Sequence, residues 1–171
     1  GVPVTVVVPE GNSTDKNRAM RGWGAEVLTH GSDFDEARAF AAALARDRGL
    51  TLVPSFHPAL VRGVATYALE LFTAVTRLDT VYVPIGMGSG ICAVIAVRDL
   101  LGLDTEVVGV TAAGAPAYAE SFRAGEPRPQ AEARTFADGV ACRDPDARAL
   151  EIILAGAARV LPVTDAEIAE A

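Results

Sequence analysis

The chain is predicted to fold as an α/β protein with an open, mainly parallel sheet flanked by helices. Apolar runs rich in β-branched residues, such as residues 3–8 and 80–85, alternate with longer segments in which apolar residues recur at helical spacing. Hydrophobic residues make up 50% of the 171 positions, which is enough to bury a substantial core.

The predicted elements follow from these patterns in chain order. Six apolar runs predict strands, over residues 3–8, 25–29, 50–53, 80–85, 105–111 and 159–163. Seven segments with helical spacing predict helices, over residues 15–22, 34–48, 58 to about 75, 90–101, about 115–124, one that begins after Asp144 and one that begins after Thr164.

Capping residues mark the helix ends. Asp33 is a predicted N-cap, and Gly49 stops the helix that Asp33 begins. Pro58 has the backbone geometry of a first helical position. Asp144 is the predicted N-cap of the sixth helix, and Thr164 begins a capping box with a glutamate three residues later.

A glycine-rich loop between strand 80–85 and the next helix is the most informative motif. This glycine loop comprises Gly86, Met87, Gly88, Ser89 and Gly90. Bare backbone N–H groups at a helix N-terminus bind phosphate oxygens, and the helix dipole favours the negative charge. The loop therefore predicts a phosphorylated ligand, with a plain tight strand-to-helix turn as the alternative.

The surroundings of the loop disfavour nucleotides. A dinucleotide fingerprint needs its third glycine three residues after the second and an acidic residue at the end of the next strand. Here Gly90 follows Gly88 by two residues, and the next strand ends in Thr111. The chain has a single lysine, Lys16, so no Walker motif exists. A small phosphorylated cofactor fits better.

Composition excludes other classes of partner. The net charge of −7 and the isoelectric point near 4.8 argue against nucleic acid and anionic membranes, which attract clustered Lys and Arg. The apolar runs are too short to span a membrane, and no signal-like segment is visible. Cys92 and Cys142 do not suggest a disulfide framework. We expect a cytoplasmic protein.

Five segments carry a resemblance to a known family: residues 3–10 with Lys16, residues 21–27, the glycine loop, residues 136–141, and residues 163–168. Together they closely resemble the threonine/serine dehydratase group of fold type II pyridoxal-phosphate enzymes, over essentially the whole chain. The resemblance implies a tryptophan synthase β-like fold with pyridoxal 5'-phosphate as cofactor.

The resemblance also implies roles for individual residues. The glycine loop would cradle the cofactor phosphate, with Ser89 donating its hydroxyl and Met87 contributing through its backbone. Asp138 and Gly139 would lie beside the cofactor ring. Some members bind a divalent cation at positions where this chain has Thr111 and Ala117, so no metal is expected.

The family's Schiff-base lysine, its carboxylate-binding loop and its C-terminal region have no counterpart in this sequence. Lys16 matches a non-catalytic position, and an exposed helical lysine is the expected reading. The chain is therefore expected to be an interior, inactive segment of a longer enzyme. Residues 1–55 would belong to a smaller N-terminal lobe and residues 56–171 to a larger, phosphate-binding lobe of a homo-oligomer.

The implied reaction is β-elimination of water from a threonine- or serine-type amino acid, giving a 2-keto acid and ammonia. Residues 56–58 and 63–66 differ from the family, which leaves open a related hydroxylated substrate of the hydroxyectoine-degradation type. A non-catalytic cofactor-binding module and a purely structural subunit are further alternatives. His57 would either face the substrate cleft or have a structural role. Tyr67, Tyr82 and Tyr118 are expected to be packing residues.

Overall fold

A computed structural model describes residues 1–171 as two compact units, residues 1–53 and residues 54–171. The strands are β1 (Thr5–Val8), β2 (Glu26–Thr29), β3 (Thr80–Pro84), β4 (Glu106–Ala112) and β5 (Arg159–Val163). The helices are α1 (Thr14–Gly22), α2 (Phe34–Arg48), α3 (Pro58–Ala74), α4 (Ser89–Leu100), α5 (Ala117–Ala124), α6 (Ala147–Gly156) and α7 (Asp165–Glu170). All strand pairs are parallel, which confirms the predicted fold class.

The first unit contains a two-stranded parallel sheet and two helices. Strands β1 and β2 pair with Thr5 opposite Glu26, and the Thr5 hydroxyl donates to the Glu26 carboxylate at 2.8 Å. Helix α2 begins as predicted, because the Asp33 side chain accepts from the Glu36 N–H. It ends at Gly49, whose φ of +63° is the left-handed conformation that glycine adopts readily.

The second unit contains a three-stranded sheet in the order β3–β4–β5. Helix α4 connects β3 to β4, and its apolar residues Ile91, Val94 and Ile95 are almost fully buried. They belong to one hydrophobic core with Val107 of β4 and Ile153 of α6. The helix that follows the glycine loop is therefore anchored in the core from Ile91 to Val97.

Two predicted features are wrong. Residues 50–53 form no strand, since they have no ladder partner and their Leu52 and Val53 side chains are largely exposed. Asp144 is not the N-cap of α6. Asp146 takes that place, because its carboxylate accepts from the N–H groups of Arg148 and Ala149 at 3.0 and 3.3 Å.

The structure divides the chain between residues 53 and 54, close to the predicted boundary between residues 55 and 56. The assignment of the two units to a smaller and a larger lobe stays a prediction. None of the helices combines the length and the apolar content needed to cross a membrane.

Candidate functional site

The glycine loop joins the end of β3 to the start of α4. Gly88 is the N-cap of this helix, and Ser89 is its first residue. The Cys92 N–H is the first to find an acceptor within the helix, the Gly88 carbonyl at 3.0 Å. The preceding amides of Gly88, Ser89, Gly90 and Ile91 are the four that helix geometry leaves without an intrahelical acceptor. Such a group of N–H donors is suited to bind an anion.

Close packing explains two of the three glycines. Gly88 has a φ of +92°, and a Cβ added there would lie 2.9 Å from Ala149 Cβ of α6. A Cβ added at Gly86 would collide with the Gly139 carbonyl oxygen. Gly90 is different, because an added Cβ would meet nothing closer than the Tyr67 hydroxyl at 3.7 Å. The loop is thus pressed against residue 139 and against α6.

Tyr118 holds the glycine loop, a role that sequence reasoning missed. Its hydroxyl donates to the Met87 carbonyl at 3.0 Å and accepts from the Asp146 N–H at 3.1 Å. Burial raises its pKa, so the phenol stays protonated and can donate. An isolated tyrosine 31 residues after Met87 gives no spacing signal for such a contact. Packing was therefore the only interpretation that the sequence offered.

Two further side chains contact the loop. The Tyr67 hydroxyl of α3 donates to the Gly90 carbonyl at 3.3 Å. The Met87 sulfur lies 3.7 Å from the Cys142 sulfur, so the one large side chain of the loop is docked on a buried residue. Met87 therefore has a packing role in addition to its backbone carbonyl.

The buried thiol of Cys92, one turn into α4, is not activated. Burial, followed by the negative charge of Asp146, raises the pKa of Cys92 to about 12. Its Sγ lies 3.6 Å from the Ala149 carbonyl, and the side chain is fully buried. The thiol is neutral at physiological pH, which is the state of a packing residue and not of a nucleophile.

The structure brings one other predicted segment to the loop. Asp138 and Gly139 lie in a short 3₁₀ helix, and the Gly139 carbonyl packs against Gly86. His57, by contrast, caps α3: its Nδ1 accepts from the Ala59 N–H at 3.1 Å. This contact gives His57 a structural role.

The remaining candidates belong to the other unit or carry no ligand chemistry. Lys16 is exposed on α1, in the other unit. Thr111 and Ala117 are buried, and the Thr111 hydroxyl has no hydrogen-bond partner. No group of three His, Cys, Asp or Glu side chains is placed to hold a metal ion.

Comparison with known proteins identifies the family to which the chain belongs. A family model described as pyridoxal-phosphate dependent enzyme matches residues 1–171. The chain belongs to this family. Among pyridoxal-phosphate dependent enzymes, the biosynthetic L-threonine dehydratase of Pasteurella multocida is 37% identical over 146 residues, which make up 84% of this chain and 28% of the relative.

Solved structures of pyridoxal-phosphate dependent enzymes agree with the fold. Threonine deaminase isoform 2 of Solanum lycopersicum is 26% identical with a TM-score of 0.85, and the match covers 95% of this chain and 48% of that one. A pyridoxal 5'-phosphate-dependent aspartate racemase is 27% identical with a TM-score of 0.90, over 100% of this chain and 53% of that one. The predicted resemblance to the threonine/serine dehydratase group is confirmed.

The site fits one end of the family's cofactor. The glycine loop places helix-start amides that have no intrahelical acceptor next to Gly90, where a Cβ would have no contact closer than 3.7 Å, and such amides can bind phosphate oxygens. The chain spans 28% of the length of the curated relative and about half of each solved structure. Its single lysine, Lys16, is not near the loop in sequence and belongs to the other unit.

Proposed function

We propose that the glycine loop holds the phosphate of pyridoxal phosphate in a lyase that removes water from a hydroxy amino acid and yields a 2-keto acid and ammonia. The observation that carries the proposal is the set of helix-start amides at residues 88–91, in a loop where packing requires glycine at positions 86 and 88. The dehydratase and deaminase names of the relatives support the reaction type.

Each part of the loop has a distinct task in this proposal. The backbone N–H groups bind the phosphate oxygens, and the dipole of α4 contributes roughly 0.3–1 kcal/mol when exposed and up to ~2 kcal/mol when partly buried. Ser89, half-buried at the first helical position, adds its hydroxyl. Asp138 and Gly139 line the approach to the ring, since Gly139 packs directly on Gly86.

When bound, pyridoxal phosphate withdraws electrons from the substrate and so stabilises negative charge at Cα. This chain's contribution is to fix one end of the cofactor in place. The substrate is of the threonine or serine type. A related hydroxylated amino acid is the alternative, because residues 56–58 and 63–66 differ from the family pattern. A homo-oligomeric state and a cytoplasmic location remain predictions.

A charge placed at the helix start tests the phosphate assignment. In the Ser89→Asp variant, the helix dipole favours the new carboxylate, so the melting temperature should stay level or rise. The same carboxylate repels a phosphate. Unit charges about 4 Å apart interact by roughly 4 kcal/mol at an effective dielectric constant of about 20, so affinity for pyridoxal phosphate should fall at least about tenfold.

The matched control is Ser89→Asn, because asparagine has nearly the same shape as aspartate but carries no charge. Isothermal titration with pyridoxal phosphate should give a much smaller loss for this variant than for Ser89→Asp. Pyridoxal, which lacks the phosphate, should bind all three proteins equally. Equal affinity of wild type and Ser89→Asp for pyridoxal phosphate would refute the proposal.

A further inference from the structure

Two tyrosine hydroxyls hold the glycine loop by its carbonyl oxygens. We propose that Tyr118, assisted by Tyr67, is a positioning residue that turns the loop's N–H groups towards the cofactor phosphate. The inference rests on the proposed function, since it concerns how the same loop recognises phosphate. It assigns a role to two side chains on α5 and α3 that do not belong to the glycine motif.

The Tyr118 hydroxyl is fixed in direction. The side chain is 1% exposed, so water does not compete for the hydroxyl. Its oxygen accepts from the Asp146 N–H at 3.1 Å, and its proton is then available for the Met87 carbonyl at 3.0 Å. The Asp146 carboxylate also caps α6, so the residue that holds the Tyr118 hydroxyl is itself fixed at the start of this helix.

The geometry of the peptide bond carries this restraint to the other side of the loop. In a trans peptide, the C=O and the following N–H point in opposite directions and cannot rotate separately. Holding the Met87 carbonyl towards Tyr118 therefore turns the Gly88 N–H away from Tyr118, to the opposite face of the loop. Without the hydroxyl, the same peptide can turn over and present a carbonyl oxygen, which repels an anion.

Tyr67 applies the same restraint one turn later. Its hydroxyl donates to the Gly90 carbonyl at 3.3 Å, which keeps the Ile91 N–H directed back towards the start of α4. The side chain is 43% exposed, so water can replace this hydroxyl. Its removal should therefore have the smaller effect of the two.

Glycine at position 88 is part of the same arrangement. An added Cβ there would lie 3.3 Å from the Tyr118 hydroxyl, tighter than most contacts of this kind. A side chain at this position would press on the hydroxyl that donates to the Met87 carbonyl. The loop sequence and the tyrosine therefore depend on each other.

The test compares two ligands in the Tyr118→Phe variant of this chain. Isothermal titration with pyridoxal phosphate and with pyridoxal gives the phosphate preference. We define this preference as the dissociation constant of pyridoxal divided by that of pyridoxal phosphate. Loss of one hydrogen bond should reduce this ratio about fivefold and leave the affinity for pyridoxal unchanged. The control is Tyr82→Phe, on the strand that leads into the loop, which should keep the wild-type ratio.

A purely structural role gives a different result. Tyr118→Phe would then lower the melting temperature and leave the phosphate preference intact, which would overturn the inference. If that variant does not fold, Tyr67→Phe decides, with an expected reduction of about twofold because water replaces the hydroxyl; an unchanged ratio would again overturn it. A wild-type chain without any phosphate preference would refute the proposed function itself.

Discussion

Gly86 and Gly139 are in contact, but only at position 86 does the surrounding structure require glycine. A Cβ at Gly86 would collide with the Gly139 carbonyl, whereas a Cβ at Gly139 would have no atom within 4 Å. Neither residue has a positive φ, so the difference between them is one of space. The junction between the loop and the Asp138 segment therefore depends on residue 86.

Gly86→Ala should destabilise the fold by about 1–3 kcal/mol, the usual cost of overpacking a tight contact. Gly139→Ala should leave the free energy of unfolding within about 0.5 kcal/mol of wild type, as surface substitutions do. Urea denaturation of both variants measures the difference. Equal stabilities of the two variants would contradict the packing described for the loop.

At the residue scale, the sequence predicted the position of the glycine loop but not the side-chain contacts that residues distant in sequence make with it. The glycine spacing after a β-branched run was sufficient to place the loop at residues 86–90. The hydrogen bond from Tyr118 to Met87 joins residues 31 positions apart, and nothing in their local pattern indicates it. Such contacts follow from how α5 and α6 pack, which local rules do not determine.

At the scale of elements, the bounds of helix α2 were predicted correctly, whereas the strand at residues 50–53 and the N-cap of α6 were not. Helix α2 has its predicted bounds because Asp33 and Gly49 act locally. Residues 50–53 have strand-like composition, but a strand exists only when another strand pairs with it. The N-cap of α6 is two residues later than predicted, where the Tyr118 hydroxyl and the Asp146 carboxylate fix the start of the helix.

Helix α7 should respond to acid at its first turn. Thr164 and Glu167 form a capping box in which the Glu167 carboxylate accepts from the Thr164 N–H at 2.7 Å. Hydrogen bonds to the Thr164 backbone and then to its hydroxyl hold the pKa of Glu167 below its usual value. A lowered pKa means that the ionised form stabilises the cap, so this stabilisation is present at neutral pH and is lost as the pH falls below the normal glutamate range.

The measurement is an NMR pH titration of the amide signals of residues 164–167. These signals should move together as the cap opens in acid. The Glu167→Gln variant keeps a hydrogen-bonding side chain without the titrating group, so its signals should be much less sensitive to pH. A wild-type first turn that is unaffected by acid would show that the capping box does not control the helix start.

At the scale of the whole molecule, the contacts that shape the glycine loop lie within one unit. Tyr67, Tyr118, Gly139, Asp146 and Ala149 all belong to residues 54–171. The phosphate end of the proposed site is thus built within this part of the chain. The composition had indicated a large core, and this core surrounds α4, the helix that begins at the loop.

We propose above all that the helix-start amides of the glycine loop bind the cofactor phosphate. The most direct measurement is a ¹H–¹⁵N NMR titration of this chain with pyridoxal phosphate and, separately, with pyridoxal. We expect large shifts of the Gly88, Ser89, Gly90 and Ile91 amides with pyridoxal phosphate and little change there with pyridoxal. If the shifts are confined to cationic side chains elsewhere, such as Arg123 and Arg128, and the signals of residues 86–91 do not move, phosphate binding by the glycine loop is contradicted.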